Sequence, residues 1–169
     1  MNTLSSRPPS RQKGYVLLMT LIMLVMLTVL ALTEVTLNTG QTRVAGNATD
    51  AEISFEKAEG ALNQGINSII NGTYPTASFL QNANGLYILN PNAAPLWTTV
   101  NWASASAVIN SFQGGTGAQA SYIIEQLPSV IQPGQNMNSP AQVYRITARS
   151  VGVSGNYAIM LQSTLQIQQ

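Results

Sequence analysis

The sequence contains no cysteine and no histidine, and each absence excludes a class of chemistry. Without cysteine the chain can form neither a disulfide framework nor a thiolate metal site. Without histidine it lacks the side chain that most often acts as a general base near neutral pH and most often binds metals. The nucleophile segment Gly-x-Ser-x-Gly is absent as well. The sequence therefore predicts a protein that is not an enzyme and that holds no cofactor or metal.

Charged residues are also scarce, at 8% of the chain, which is about a third of the usual share. Three of the basic residues, Arg7, Arg11 and Lys13, precede an apolar block with no acidic residue among them. Without that first stretch the chain would carry four basic and six acidic residues, a net charge of −2. A polar but nearly uncharged surface attracts phosphates weakly, so we expect no binding to nucleic acid.

A long apolar run extends from Tyr15 to Thr33, 19 residues without a charge, a proline or a glycine. A helix needs about 20 such residues to cross a bilayer, so we predict a transmembrane helix over residues 15–33. The basic residues before it predict a cytoplasmic N-terminus and a head beyond the bacterial inner membrane. A cleaved secretory signal fits less well, because its apolar stretch is only about 7–15 residues long. A plain signal anchor remains an alternative.

The helical pattern continues beyond the membrane run. Apolar residues recur close to the helical period at Ile53, Leu62, Ile66 and Ile69. Asn71-Gly72 is a typical helix stop. We therefore predict an amphipathic continuation of the helix over residues 34–72. The acidic residues Glu52, Glu56 and Glu59 lie on its opposite side.

Residues 73–169 are richer in proline, lose the helical period and are predicted to form a β-rich globular head. The predicted strands are 86–89, 96–102, 121–126, 143–151 and 157–167. Residues 152–156 are expected to join the last two as an antiparallel hairpin. Their apolar faces should pack on the helix side that carries Ile53, Leu62 and Ile66. The predicted fold class is α+β, a long N-terminal helix against a C-terminal antiparallel sheet.

Two ligand sites are alternatives that the residue types suggest and that their arrangement does not favour. Four carboxylates between Asp50 and Glu59 suggest Ca²⁺, but helical carboxylates without loop carbonyls form a poor cage. Trp97, Trp102 and Tyr87 suggest a sugar platform, although core packing or an interface is the more common role of such residues.

The segment before the apolar run carries a first resemblance. Arg11-Gln12-Lys13-Gly14 directly precedes Tyr15 and resembles the type III signal of type IV pilins. In that family a prepilin peptidase cuts after the glycine and methylates the new N-terminus. The resemblance implies that residues 1–14 are a leader that is removed. It also implies processing at Lys13, Gly14 and Tyr15, with Tyr15 as the methylated first residue.

Two further segments resemble PilX-type minor pilins. One is Arg43-Val44-Ala45-Gly46-Asn47, with Phe55, Ala58 and Glu59 downstream, and the other is the 142–164 stretch, which is similar to the C-terminal hairpin of PilX- and PilV-like minor pilins. This resemblance implies a pilin-like fold. The residues that it implies for assembly are Arg43, Gly46, Asn47 and Glu59.

Position 19 departs from the pilin pattern. Most pilins have a glutamate as the fifth residue after cleavage, and its carboxylate pairs with the N-terminal amine of a neighbouring subunit. Here the fifth residue is Met19, and the first acid, Glu34, lies about 22 Å further along the helix. The subunit can present its own amine to a subunit below but offers no carboxylate to one above. This arrangement favours a position at the distal end of a filament.

The resemblance implies a minor pilin that primes type IV pilus assembly at or near the tip. The partners it implies are other minor pilins, the major pilin, the prepilin peptidase and a large tip adhesin, with inner-membrane lipid before assembly and the cell-surface pilus afterwards. A tip pseudopilin of a type II secretion system is one alternative, although such subunits usually carry a larger head. A signal-anchored periplasmic binding module that never assembles is another.

Overall fold

The computed structural model describes residues 14–111, 119–131, 133–134, 140–155 and 157–168. The chain divides into two compact units, Met1–Gly46 and Asn47–Gln169. One helix, α1, runs from Tyr15 to Ile70 and contributes residues to both units.

The first unit contains the apolar part of α1. An 18-residue window there has a mean hydropathy of 2.7, and none of it is buried inside the structure. Within the described ranges this is the one helix long and apolar enough to cross a membrane. The hydroxyls of Thr20, Thr28 and Thr33 donate to backbone carbonyls three or four residues earlier, at 2.8–2.9 Å. Because these polar groups are satisfied within the helix, they do not oppose its transfer into lipid.

The second unit combines residues 47–70 of α1 with a five-stranded sheet. The strands are β1 (Leu86–Ile88), β2 (Ile109–Asn110), β3 (Gln119–Val130), β4 (Ala141–Val151) and β5 (Ala158–Ile167). Their order is β1-β3-β4-β5, and β2 also pairs with β3. The pairs β3/β4, β4/β5 and β2/β3 are antiparallel, whereas β1 is parallel to β3. The predicted α+β class and the long helix against a mostly antiparallel sheet are confirmed.

Small side chains form the centre of the contact between α1 and the sheet. The fully buried helix positions recur every three or four residues, as the helical period requires. They are Ser54, Ala58, Ala61, Gly65 and Ile69. The larger Leu62 and Ile66 are only half-buried and pack at the edges of the core. The buried line of α1 therefore lies next to the predicted side that carries Ile53, Leu62 and Ile66. Gly65 in this line faces the ring of Tyr122 and the side chain of Ile146 on the sheet.

Two short helices accompany the sheet, a 3₁₀-helix at Thr76–Gln81 and α2 at Leu96–Thr99. The predicted strand over 96–102 is thus wrong. Pro95 precedes α2, and its carbonyl accepts the backbone N–H of Thr98 at 3.0 Å, which starts a helical turn instead. The hydroxyl of Thr98 donates to the same carbonyl at 2.6 Å. The 3₁₀-helix and β2 were not predicted, since both are too short to show a period.

Strand β3 is longer than the predicted strand 121–126. It continues through Pro128 to Val130, and its pairing with β4 shifts register between Leu127 and Val130. Proline lacks a backbone N–H and is tolerated in a sheet at such irregularities. Strands β4 and β5 confirm the predicted hairpin.

Candidate assembly site

The predicted processing position lies at the exposed start of α1. Gly14 has φ +33°, in the left-handed region that favours glycine, and its carbonyl accepts the N–H of Leu18 at 3.1 Å. The next side chain, Tyr15, is 66% exposed. Lys13 lies outside the described residues. The peptide bond between Gly14 and Tyr15 therefore borders the first helical turn, and no atom of the described residues lies within 4 Å of a Cβ added to the glycine.

Met19 lies one turn further along α1 and is 47% exposed. The hydroxyl of the adjacent Thr20 donates to the carbonyl of Leu17 at 2.9 Å. The sequence has no charged side chain from Tyr15 to Thr33. Glu34 is the first acidic residue that follows on the helix. The surface around position 19 is accordingly apolar and uncharged.

The four residues implied by the second resemblance all lie at the surface of α1. Arg43 and Gly46 belong to the first unit, whereas Asn47 and Glu59 belong to the second, and all four are exposed. The structure spreads them along the helix rather than gathering them at one point. As exposed groups on a helix, they are accessible to neighbouring chains.

Asp50, three residues after Asn47, binds the loop between β4 and β5. Its carboxylate accepts the backbone N–H of Val153 at 2.7 Å, the N–H of Ser154 at 3.3 Å and the hydroxyl of Ser154 at 2.6 Å. A Cβ added to Gly152 would lie 2.5 Å from one carboxylate oxygen, so the close approach requires glycine there. We name this arrangement, formed by Asp50 and residues 152–154, the aspartate clasp.

The clasp changes the acidity of its carboxyl group. The hydroxyl of Ser154, followed by the N–H groups of Val153 and Ser154, holds the pKa of Asp50 below its ordinary value of 3.8, although partial desolvation acts in the opposite direction. Hydrogen bonds to the charged form favour that form. Asp50 is therefore an ionised acceptor. The sequence placed it among four helical acids and gave no signal of a partner about a hundred residues later.

The sheet face opposite α1 contains a buried ion pair. Glu125 on β3 is 2% exposed, and its Oε2 accepts from Nε of Arg145 on β4 at 2.9 Å, while Arg145 is 18% exposed. The guanidinium of Arg145 lies 4.6 Å from the centre of the Trp97 ring, and Arg149 lies 5.8 Å from that of Trp102. Both tryptophans thus pack on arginines of β4, which favours the packing role over a sugar platform.

The carboxylates do not form a metal cage in the part of the chain that the structure describes. Nowhere in those ranges do three or more Asp, Glu, His or Cys side chains come together. Asp50, the first member of the acidic group, accepts from the hairpin loop instead.

A family model described as "Type IV pilus assembly protein PilX C-term" matches residues 37–167. The match covers most of the chain, including the four exposed residues of α1, the aspartate clasp and the whole sheet. No curated protein and no solved structure matches the chain. The family is a structural one of pilus assembly, which supports interaction with other pilus components, and the apolar helix is consistent with membrane anchoring. From this match we conclude that the chain belongs to the PilX family of type IV pilus assembly proteins.

Proposed function

We propose that this chain is a minor pilin that primes the type IV pilus and occupies a position at or near its tip, without catalytic activity. Family membership supplies the link to pilus assembly. The observation that carries the tip position is the uncharged turn around Met19, where most pilins have a glutamate.

The physical basis is the cost of an isolated charge in an apolar medium. A charged group at the centre of a bilayer costs several kcal/mol unless it is paired, roughly 2.5–3.5 kcal/mol on insertion scales. A carboxylate at the fifth position therefore guides a subunit to the amine of its neighbour. With methionine at this position, the chain has no group to pair with the amine of a subunit above it. Its own N-terminal amine can still pair with the glutamate carboxylate of a subunit below it.

The proposal includes processing before assembly. The peptidase would cut between Gly14 and Tyr15, remove Lys13 with the leader, and methylate the amine of Tyr15. The N-terminus would then face the cytoplasm, with the head in the periplasm until the pilus extends. Gly14, just before α1, and Tyr15, its first residue, are both exposed, which supports access to this peptide bond.

Partners would meet the chain along α1. We propose that Arg43, Gly46, Asn47 and Glu59 contact the helices of other minor pilins and of the major pilin, because all four are exposed. No atom in the part of the chain that the structure describes lies within 4 Å of a Cβ added to Gly46, so a neighbouring helix could approach its backbone closely. A large tip adhesin is a further expected partner.

Three measurements test the proposal. Intact-mass spectrometry of the chain from the membrane should show a polypeptide that begins at methylated Tyr15. Immunogold labelling of an epitope-tagged chain should mark one end of each pilus. A retained Met1, or label along the whole shaft, contradicts the proposal. Deleting the chain should abolish pili and leave type II secretion intact; the reverse result indicates a pseudopilin.

A further inference from the structure

The two edges of the sheet differ in the length of their outermost strands. On one side, β3 is covered by the short strands β1 and β2, of three and two residues. On the other side, the ten-residue β5 pairs with β4 and, among the described residues, with no further strand. The β5 side is therefore a long open edge.

The register identifies which backbone groups face outward. The N–H of Gly152 donates to the carbonyl of Tyr157 at 2.9 Å, so these two residues form a hydrogen-bonded pair. The pairing of β4 with β5 continues without a shift. In an antiparallel pair, hydrogen-bonded positions alternate with positions whose N–H and C=O point away from the partner. The outward groups belong to Ala158, Met160, Gln162, Thr164 and Gln166.

This edge lacks the usual protection against pairing. Natural edge strands are commonly short or carry lysine, proline or a bulge. Strand β5 has no charged residue, no proline and no glycine, and it has no register shift. Its helix-side residues are all only half-buried, so the apolar core stays partly open along the strand. The apolar members of that face are Ile159, Leu161, Leu165 and Ile167.

We propose that the outer edge of β5 binds an extended, uncharged segment of another pilus component by adding it as a further strand. Evenly repeated backbone donors and acceptors are satisfied by a second extended backbone, which is the chemistry of strand addition. We expect the segment to be uncharged, because β5 has no charged side chain that could pair with a charge on the incoming strand. It would also cover the open side of Leu161 and Leu165.

The choice of partner rests on the proposed function. A subunit that can accept one neighbour below and none above has a single place in a filament, so a second copy would not lie beside it. The occupant is therefore a different polypeptide of the assembly. Pairing of β5 with a second copy is an outcome that would overturn this choice.

Residue-resolved hydrogen exchange tests the proposal with the full chain. One sample is the chain alone in detergent micelles, and the other is the detergent-solubilised assembly co-purified from cells that make the pilus. We expect the amides of Met160, Gln162 and Thr164 to exchange at least about ten-fold more slowly in the assembly. The inward amides of Leu161 and Ser163 are already bonded to β4 and should change little. Unchanged exchange at the outward amides overturns the proposal.

A matched pair of variants adds a second reading. Thr164→Pro removes one outward donor, whereas Thr164→Ala keeps it and removes the same exposed side chain. Loss of one hydrogen bond should reduce the amount of the pilus component that co-purifies with the chain roughly two- to tenfold. Equal recovery with both variants contradicts strand addition, provided that circular dichroism shows that both are folded. A chain that joins the pilus with an unprotected β5 refutes this inference alone, while a chain that never joins refutes the proposed function.

Discussion

A Cβ built on Gly65 of α1 would lie 2.7 Å from Cγ2 of Ile146 on β4 and 3.1 Å from the Tyr122 ring. The distance to Ile146 is shorter than the contacts that real Cβ atoms make. The helix therefore comes so close to the sheet at Gly65 that any side chain there would clash. The glycine thus sets the distance between the helix and the central strands.

The first prediction concerns this contact. Gly65→Ala should destabilise the head by about 1–3 kcal/mol, because overpacking displaces Ile146 or the helix. Alanine favours helix over glycine by about 1 kcal/mol, so the propensity alone predicts the opposite sign. Gly40→Ala is the matched control, since nothing lies within 4 Å of its added Cβ. Denaturant unfolding of the full chain in mild detergent, followed by tryptophan fluorescence, should show a loss with Gly65→Ala and none with Gly40→Ala.

The aspartate clasp gives a second prediction. Asp50→Ala should lower the melting temperature of the head by about a few degrees, because three donors on residues 153 and 154 lose their acceptor. Glu52→Ala is the control, since that neighbouring acid is exposed. Adding Ser154→Ala to Asp50→Ala should cost little more than Asp50→Ala alone. Strictly additive effects would contradict a direct bond between the two side chains.

A third prediction follows from the acidity of Asp50. Its pKa is lowered in the folded chain, so its contribution to stability is fully present above the ordinary value of 3.8. That contribution decreases as the pH falls below 3.8 and is lost once the lowered folded pKa has been passed. The stability difference between the parent chain and Asp50→Asn should therefore shrink between pH 5 and the acid limit of the measurement. A difference that is constant with pH would show that the charge has no role.

The buried ion pair provides a fourth prediction. Glu125→Ala should destabilise the head by about 3–5 kcal/mol, because it leaves the guanidinium of Arg145 without its counter-charge. Glu125→Leu combined with Arg145→Met should recover much of this loss, since an apolar pair removes both charges together. Glu56→Ala, an exposed acid, serves as the control. Full stability of Glu125→Ala in chemical denaturation would show that the pair contributes nothing.

The fifth prediction tests the apolar turn near the N-terminus. Met19→Glu supplies the carboxylate that this chain lacks and should let it enter the filament below another subunit. Immunogold label should then spread from the pilus end into the shaft. Met23→Glu, one turn later, is the control and should not assemble, because no amine is placed to pair with it. If the parent chain already labels the shaft, the tip position is wrong.

The helix and the hairpin could be predicted because their sequence patterns extend over many residues. The uncharged run covers 19 residues from Tyr15 to Thr33, and the alternation of apolar and polar residues continues along β4 and β5. A pattern of that length rarely arises by chance. The fold class rests on these segments. The family resemblance rests instead on three motifs, the segment before Tyr15, the segment that begins at Arg43, and the 142–164 stretch. The run 96–102 was misread because seven residues do not separate a strand from a helical turn when proline precedes them.

The polar contacts of the head could not be predicted for a different reason. Asp50 and Ser154 are 104 positions apart, and no local pattern relates them. Glu125 lies in an apolar strand, where its burial depends on Arg145 from the next strand and Trp97 from a preceding turn. Such contacts are set by tertiary packing, which a single sequence shows only indirectly. The role of the exposed residues Arg43, Gly46, Asn47 and Glu59 in assembly remains a prediction. Their contacts in the assembled pilus would test it.

The central place of β4 in the sheet has a consequence for the order of folding. This strand lies between β3 and β5, and it is also the strand that Gly65 approaches. The contacts of the helix with the sheet therefore link residues far apart in the chain, and high contact order makes folding slow. During synthesis, residues 47–70 are made before β4, so Ala58, Ala61 and Ile69 stay uncovered until β4 is available. A chaperone that shields these three residues would have its main effect before β4 is complete.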